Sequence, residues 1–174
     1  MAQKIVPTNR EVTFAPDEII VSKTDLKGKI TYANRTFSKV CGYSRAELMG
    51  APHSIIRHPD MPRAVFKLLW DRLAEEKEVF AYVKNMTRWG DYYWVFAHVT
   101  PSYDDQGRVV GYHSNRRVPE QRIVRDVMEP VYAGLLATEA SYSSAKEGLK
   151  ASYAQLTDLV KSKATSYDEL IFSL

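Results

Sequence analysis

Two residues, His53 and Arg57, have the spacing and the side-chain chemistry of a small anion-binding site. They lie four positions apart, so a helical turn would place the imidazole and the guanidinium on one face. A guanidinium can donate two parallel hydrogen bonds to a phosphate or a carboxylate. The alternative is a structural role, in which Arg57 pairs with Asp60 and Asp60 caps a helix that Pro62 helps to start. The residues alone favour neither interpretation.

A polar side chain, Asn85, ends a row of small apolar residues in a predicted strand over 79–86. Alternate residues of a strand face opposite sides of the sheet, and Val79, Ala81 and Val83 share its side. If that side faces a pocket, the Asn85 amide offers the pocket both donor and acceptor groups. In the alternative interpretation, Asn85 starts the turn that follows the strand.

The next predicted strand is apolar on both sides and therefore needs a cover on both sides. Its odd row is the smaller one and includes Tyr93, and its even row carries Tyr92, Trp94, Phe96 and His98. We assign the odd row to the pocket, and we expect the aromatic even row to be covered by another part of the protein. The cover could be the N-terminal arm, the C-terminal tail or a second copy of the chain.

The elements that would position these side chains follow from hydrophobic periodicity and turn residues. The predicted strands, in chain order, span residues 18–22, 29–32, 79–86, 92–101 and 108–116. Short helical pieces lie between the second and third strands, among them a capping box from Ser44 to Glu47. The last of these helices follows Pro62 and has an apolar stripe that includes Trp70.

The chain of 174 residues fits one compact domain with an appendage. We divide it into an N-terminal cap or arm over 1–17, an α+β domain over 18–118, and a helical extension over 119–174. Apolar stripes in the extension predict a helical hairpin or a partner-binding arm.

Composition limits the classes of function. Charged residues make up 26% of the chain and the net charge is only +3, without a clustered basic face, so nucleic-acid binding is not expected. The single cysteine, Cys41, excludes an internal disulfide and a cysteine-based zinc site. The apolar runs are too short for a membrane span or a signal peptide, so we expect a cytoplasmic protein without direct membrane insertion.

Several motifs resemble the PAS domain of bacterial aerotaxis receptors of the Aer type. The resemblance covers about residues 18–118, and the run over 57–62 (Arg-His-Pro-Asp-Met-Pro) is its most specific part. The other carriers are Thr24-Asp25-Leu26, Ile30-Thr31-Tyr32-Ala33-Asn34, Cys41-Gly42-Tyr43-Ser44, Pro52-His53, Val83-Lys84-Asn85 and Gly90-Asp91-Tyr92-Tyr93-Trp94-Val95.

The resemblance implies a PAS fold, in which a five-stranded antiparallel sheet carries short helices on one face. It also implies a redox or oxygen sensor that binds FAD noncovalently. The cofactor-binding residues that it suggests, together with the reasoning above, are Asn34, His53, Arg57, His58, Asp60, Trp70, Asn85, Tyr93 and His113. His113 enters because the last strand flanks the reactive ring in flavin-binding relatives; the alternative is a surface histidine.

The resemblance also implies partners. The longer receptors carry a membrane anchor and a signalling domain in the same chain, and this sequence has neither. It is more similar to stand-alone energy-taxis PAS proteins, so we expect signalling to a separate chemoreceptor or other transducer, and a homodimer.

Two residues depart from the pattern of these receptors. Val79 stands where the receptors usually have a tryptophan, and Trp89 stands in place of a usual asparagine-type turn residue.

Other classes of function fit the sequence less well. The sequence has no nucleophile elbow, glycine-rich phosphate loop or zincin motif, so we do not expect an enzyme. A haem-binding PAS sensor would need one axial histidine, and His53, His98 or His113 could serve. A cofactor-free PAS dimerisation or interaction module is the remaining alternative.

Overall fold

A five-stranded antiparallel sheet forms the centre of the protein. The computed structural model describes residues 5–174, so the first four residues of the predicted N-terminal arm lie outside the described residues. The strands are β1 (Ile20–Thr24), β2 (Ile30–Ala33), β3 (Val79–Met86), β4 (Tyr92–Tyr103) and β5 (Val109–Arg117). Their order in the sheet is β2-β1-β5-β4-β3. The predicted α+β class and its antiparallel sheet are confirmed, and the strand ends differ from the predicted ones by at most two residues.

Short helices cover one face of the sheet. They are α1 (Arg35–Cys41), α2 (Arg45–Leu48), a 3₁₀ turn (His53–Ile56) and α3 (Arg63–Ala74). The predicted capping box is present, because Ser44 accepts from the Glu47 backbone N–H and the Glu47 carboxylate accepts from Ser44. The N-cap position of α3 is Pro62, which makes no capping hydrogen bond, so the suggested capping role of Asp60 is wrong.

The C-terminal extension is helical, as predicted. Its elements are α4 (Gln121–Ile123), a π-helical turn (Val124–Met128), α5 (Glu129–Ala140), α6 (Ala145–Lys163) and α7 (Tyr167–Phe172). The helices α5 and α6 pack against each other as a hairpin. No helix within residues 5–174 is both long enough and apolar enough to cross a bilayer.

This extension covers the aromatic face of the sheet. The Tyr132 ring stacks on Trp94 with the ring centres 6.0 Å apart. The hydroxyls of Tyr132 and Tyr167 donate to the backbone carbonyls of Tyr82 and Phe80, at 2.5 and 2.8 Å. Because β3 is an edge strand, these bonds satisfy carbonyls that no neighbouring strand pairs with. The tail of the same chain therefore covers this face, as one of the predicted alternatives had it.

The N-terminal arm lies along the start of β4, where β5 does not yet pair with it. The Val12 N–H donates to the Tyr92 carbonyl at 2.7 Å, and the Tyr92 N–H donates to the Arg10 carbonyl at 3.0 Å. Thr8 and Arg10 both donate to the buried Asp91 carboxylate. The arm therefore closes an open stretch of the sheet, and its Glu11 carboxylate accepts a hydrogen bond from Gln121 of the tail at 3.5 Å.

A buried carboxylate, Glu139, fastens the tail to α3. It accepts hydrogen bonds from Arg63 Nε at 2.9 Å, from the Ala64 N–H at 3.1 Å and from Ser152 Oγ at 2.9 Å. A Cβ at Gly148 would lie 2.5 Å from the Glu139 carbonyl, so a glycine is needed where α6 crosses α5. One side chain thus joins α3, α5 and α6.

We predict that Glu139→Gln lowers the free energy of unfolding by about 1 to 3 kcal/mol, because it leaves the half-buried Arg63 guanidinium and two further donors poorly matched. Urea unfolding of the purified variant measures the change. Glu147→Gln, in the exposed first turn of α6, is the matched control and should change stability by less than about 0.5 kcal/mol. Equal effects of the two variants would contradict the role given to Glu139.

Candidate functional site

A cavity of about 190 Å³ lies between the helical face of the sheet and α3. Polar side chains gather on one part of its wall, and they are Ser22, His53, Arg57, Asn85, Ser114 and Arg116. Apolar side chains from α3, β3 and β4 form another part, including Phe66, Leu69, Leu73, Val83, Ala97 and Val99. A mostly apolar wall with a few convergent polar groups is typical of a small-molecule site.

The strands place their cavity-facing residues by parity and register. Val83 and Asn85 of β3, and Ala97 and Val99 of β4, belong to the odd rows that the sequence assigned to a pocket. These residues line the cavity as predicted. On β5 the even row faces the same way, because Ser114 pairs with Val99 across the two strands.

The wall contains a buried cation, Arg116. Its side chain is 2% exposed, and its partners among residues 5–174 are neutral. Nη2 donates to Ser22 Oγ at 2.5 Å, Nη1 lies 3.4 Å from His53 Nε2, and the guanidinium sits 4.5 Å from the centre of the Phe37 ring. Nε has no hydrogen-bond partner in the described part of the chain. Burial lowers the pKa of Arg116 to about 10, so the group stays charged at neutral pH.

His53 is held neutral beside this cation. Burial, reinforced by the charge of Arg116, lowers the pKa of His53 to about 3. Because a guanidinium can only donate, the contact assigns His53 Nε2 as an acceptor and places the ring proton on Nδ1. Ser22 Oγ lies 3.1 Å from the same nitrogen and connects the two groups. Ser22, His53 and Arg116 therefore form one buried polar network, which carries a positive charge.

Arg57 is a second guanidinium at the wall, and it does not make the ion pair with Asp60 that the structural interpretation suggested. Its Nη2 donates to the Met61 carbonyl at 3.3 Å, and its head lies 4.2 Å from the centre of the Phe66 ring. It does not pair with Asp60, which instead forms an ion pair with Lys84 at 2.7 Å. Arg57 and His53 both line the cavity.

Four of the nine predicted site residues line the cavity, namely His53, Arg57, Trp70 and Asn85. Asn34 does not: its side chain caps α1 and ties it to β1, since its Oδ1 accepts from the Phe37 and Val21 N–H groups. Tyr93 is fully buried near Arg116, behind the wall, and its hydroxyl has no partner within residues 5–174. Burial raises the pKa of Tyr93.

His58 and Asp60 lie together outside the cavity. The Asp60 N–H donates to His58 Nδ1 at 3.1 Å, and the His58 ring packs edge-on against Tyr92. Burial lowers the pKa of His58, and Lys84 adds to the shift. These contacts hold the turn that leads into α3, so the pair can affect the cavity only through that turn.

His113 faces the other side of the sheet from the cavity. Its neighbours Tyr112 and Ser114 line the cavity, so strand parity turns the imidazole away, where its Nε2 lies 3.2 Å from Asn115 Oδ1. The assignment of His113 to the cofactor wall does not fit this geometry. Arg116 was missed, although the register of β5 against the odd row of β4 would have placed it on the pocket side.

The comparisons with known proteins agree with this architecture. The model of the PAS fold family matches residues 30–116, which is half of the chain. The chain belongs to the PAS family. Its PAS domain is of the aerotaxis-receptor type, because the chain is 40% identical over 135 residues to the aerotaxis receptor of Escherichia coli, covering 77% of this chain and 26% of that protein.

A second relative is the nitrogen fixation regulatory protein of Klebsiella pneumoniae, 29% identical over 99 residues, covering 57% of this chain and 20% of the relative. The PAS protein described here thus spans about a quarter or less of these relatives. Among solved structures, the blue-light photoreceptor Aureochrome1 LOV in its dark state has a TM-score of 0.57 at 21% identity, over 66% of this chain and 86% of that one. That likeness concerns the fold alone.

We predict that the buried neutral state of His53 makes the PAS protein acid-sensitive. The ordinary pKa of histidine is 6.5, so between that value and about 3 the unfolded chain binds a proton that the folded chain does not. Stability is therefore complete above pH 6.5 and falls as the pH drops through this window, by about 2 to 4 kcal/mol. Urea unfolding at several pH values measures the slope.

We expect His53→Gln to remove this part of the dependence of unfolding free energy on pH. His113→Gln, on the opposite face of the sheet, should keep the slope of the parent protein. The two variants remove the same kind of side chain, so the difference between them isolates burial beside Arg116. An unchanged slope in His53→Gln would contradict the assignment of His53 as a buried neutral group.

Proposed function

We propose that the PAS protein is a redox or oxygen sensor that holds FAD noncovalently in the cavity beside Arg116. The observation that carries the proposal is the buried guanidinium whose partners are neutral and whose Nε is unpaired. Burying a charge without an opposite charge is costly. A ligand that carries carbonyl oxygens, and a negative charge in one of its states, supplies the hydrogen-bond acceptor and the opposite charge that Arg116 lacks.

The two kinds of wall fit the ring system of a flavin. One end of that ring system is polar, with carbonyl oxygens and ring nitrogens, and the other end is an apolar methylated ring. Arg116 and Asn85 can offer donors to the polar end, and Asn85 can also accept. Leu69 and Leu73 of α3, with Val99 of β4, offer an apolar surface. A bound flavin supplies a group that takes up and gives back electrons.

The residues around the cavity have defined electrostatic roles in this proposal. Arg116 keeps its charge at neutral pH and stabilises a negative charge that arrives with an electron. His53, with its pKa near 3, is not a proton donor at neutral pH and can act only through its hydrogen bonds. Ser22 of β1 accepts a hydrogen bond from Arg116 of β5. A change in the hydrogen bonding of Arg116 therefore reaches two central strands of the sheet.

The relatives support a flavin over a haem. The related chain in Escherichia coli is an aerotaxis receptor, and one solved PAS-type neighbour is described through a flavin analogue in a light-oxygen-voltage domain. Haem would need a free axial histidine at the cavity. His53 Nε2 is engaged by Ser22 and Arg116, His98 bonds Glu78 at 2.6 Å, and His113 faces away. We propose a sensing role for this site and no catalytic one.

We further propose that the signal passes to a separate chemoreceptor or other transducer in aerotaxis, in the cytoplasm, and that the protein acts as a homodimer. The likeness to an aerotaxis receptor supports the pathway. The C-terminal helices support a route out of the cavity, because they contact α3 on the side away from the ligand wall. A cofactor-free interaction module leaves the Nε of Arg116 without a hydrogen-bond partner among residues 5–174.

We expect the freshly purified protein to be yellow, with two visible absorption bands of an oxidised flavin that dithionite bleaches. Heat release followed by chromatography should identify FAD. A Soret band would instead support haem, and a colourless, folded protein that takes up no added flavin would contradict the proposal.

Matched variants then test the site. Asn85→Ala and Arg57→Ala should each lose flavin by about ten-fold or more in affinity, because each removes a hydrogen-bonding group from the wall. His113→Ala should retain flavin, since its ring lies on the other face of the sheet. The same loss in all three variants, with unchanged folding by circular dichroism, would overturn the assignment of the wall.

A further inference from the structure

The N-terminal arm, residues 5–14, occupies a site at the start of β4 that is built around a shielded carboxylate, the Asp91 site. Asp91 is 3% exposed, and it accepts from Thr8 Oγ1 at 2.6 Å and from Arg10 Nε at 2.9 Å. Main-chain hydrogen bonds between the arm and β4 continue the site. Because a carboxylate shielded from water is costly without a partner, the site requires an extended segment that carries a cation.

Little apolar surface holds the arm in this site. Residues 6–11 are all exposed, and Val6 keeps 75% of its surface in solvent. Val12 and Phe14 are half-buried and pack against the core. Segments with few buried apolar contacts open at a lower free energy than the whole fold does. The arm can therefore leave its site while the sheet and the cavity stay folded.

A short, exposed joint, residues 15–19, connects the arm to β1. Ala15, Pro16 and Asp17 are exposed. The chain reverses here, since the Glu18 N–H donates to the Ala15 carbonyl at 3.0 Å. A residue that precedes proline favours an extended backbone, so Ala15 is also suited to a straight course. An extended joint spans about 17 Å, at about 3.4 Å per residue, and can present the arm to an adjoining copy of the chain.

The two edge strands of the sheet are already engaged by their own chain. On β2, the Ile30 N–H donates to the Ala51 carbonyl at 2.9 Å. On β3, tyrosines of the tail donate to the carbonyls of Phe80 and Tyr82. Strand pairing with a second copy therefore has to replace a segment of the chain, and the arm can be replaced without unfolding the sheet.

The part of the outer sheet face that the aromatic rows do not form is positively charged. Lys23 of β1 and Arg117 of β5 lie on the side opposite the cavity, because their neighbours Ser22 and Arg116 line it. None of the five strands contains an aspartate or a glutamate. Two copies that met face to face here would bring like charges together, so this face disfavours a dimer.

We infer that the arm is exchanged between two copies of the chain, so that residues 5–14 of each copy occupy the Asp91 site of the other. The inference rests on the proposed homodimer and gives it an interface. Exchange keeps every hydrogen bond between the arm and the Asp91 site, and the joint alone changes its course. Each copy gives one arm and receives one, so the assembly closes as a two-fold dimer.

The first test is cross-linking between full chains that carry one engineered cysteine each. Glu11 and Tyr92 are bridge partners, so Glu11→Cys in one chain and Tyr92→Cys in another are placed to form a disulfide when an arm crosses between copies. The native Cys41 is buried. Chains with tags of different length, expressed together and then oxidised, should give a covalent heterodimer. Glu11→Cys with Tyr32→Cys, an exposed position on β2, is the matched control and should give at least about ten-fold less.

The length of the joint supplies the second test. A Gly-Ser-Gly-Ser segment inserted between Pro16 and Asp17 lets each arm return to its own chain, because short joints favour exchange and long ones do not. The dimer fraction in sedimentation equilibrium should fall by at least about five-fold. The same insertion between Asp105 and Gln106, in the loop between β4 and β5, is the matched control and should leave the dimer fraction unchanged.

Failure of arm exchange is distinguishable from failure of the homodimer. A dimer that gives no more heterodimer than the Tyr32→Cys control, and that is unchanged by the longer joint, would overturn the exchange and leave the homodimer proposal standing. A parent chain that sediments as a monomer at every concentration, without a cross-linked heterodimer, would overturn both.

Discussion

The positive charge of Arg116, buried among neutral groups, is the constraint on which the cavity depends. A carboxylate beside the guanidinium would lower the cost of burying its charge. It would also neutralise that charge, so a ligand could no longer use it. Ser22 and His53 accept from the guanidinium without cancelling its charge, and the same charge helps to keep His53 neutral. The site thus holds a fixed cation in a position where an electron-accepting ligand can use it.

The helix α3 connects this charged cavity to the tail. On one side it presents Phe66 and Leu69 to the cavity. On the other side its Asp71 and Arg72 hold the tail, through Tyr153 at 3.0 Å and Asp168 at 2.6 Å. A change in the cavity that displaces α3 must therefore strain these bonds or the Glu139 contact. Packed interfaces and the ion pairs across them can switch between discrete arrangements, which is one way that such a displacement is passed on.

Sequence patterns predicted the sheet, the capping box and the odd rows of β3 and β4, because periodicity and turn chemistry are local. They also brought His53, Arg57 and Asn85 to one wall. They failed at Asn34, His58 and Asp60, whose polar side chains serve the backbone nearby, since a motif does not distinguish a turn contact from a ligand contact. Arg116 required the pairing register of β5 with β4, and the cover of the aromatic face required tertiary packing; neither is encoded in a short segment.

The most direct test of the account is Arg116→Met, measured for both flavin affinity and unfolding free energy in urea without added flavin. A methionine of similar length leaves the Ser22–His53 hydrogen bond in place and removes the buried charge. We expect flavin affinity to fall by at least about a hundred-fold, since a charge-assisted bond in a buried site is lost, while stability stays equal or rises. Loss of stability with unchanged flavin affinity would show that Arg116 serves the fold alone and would contradict the account.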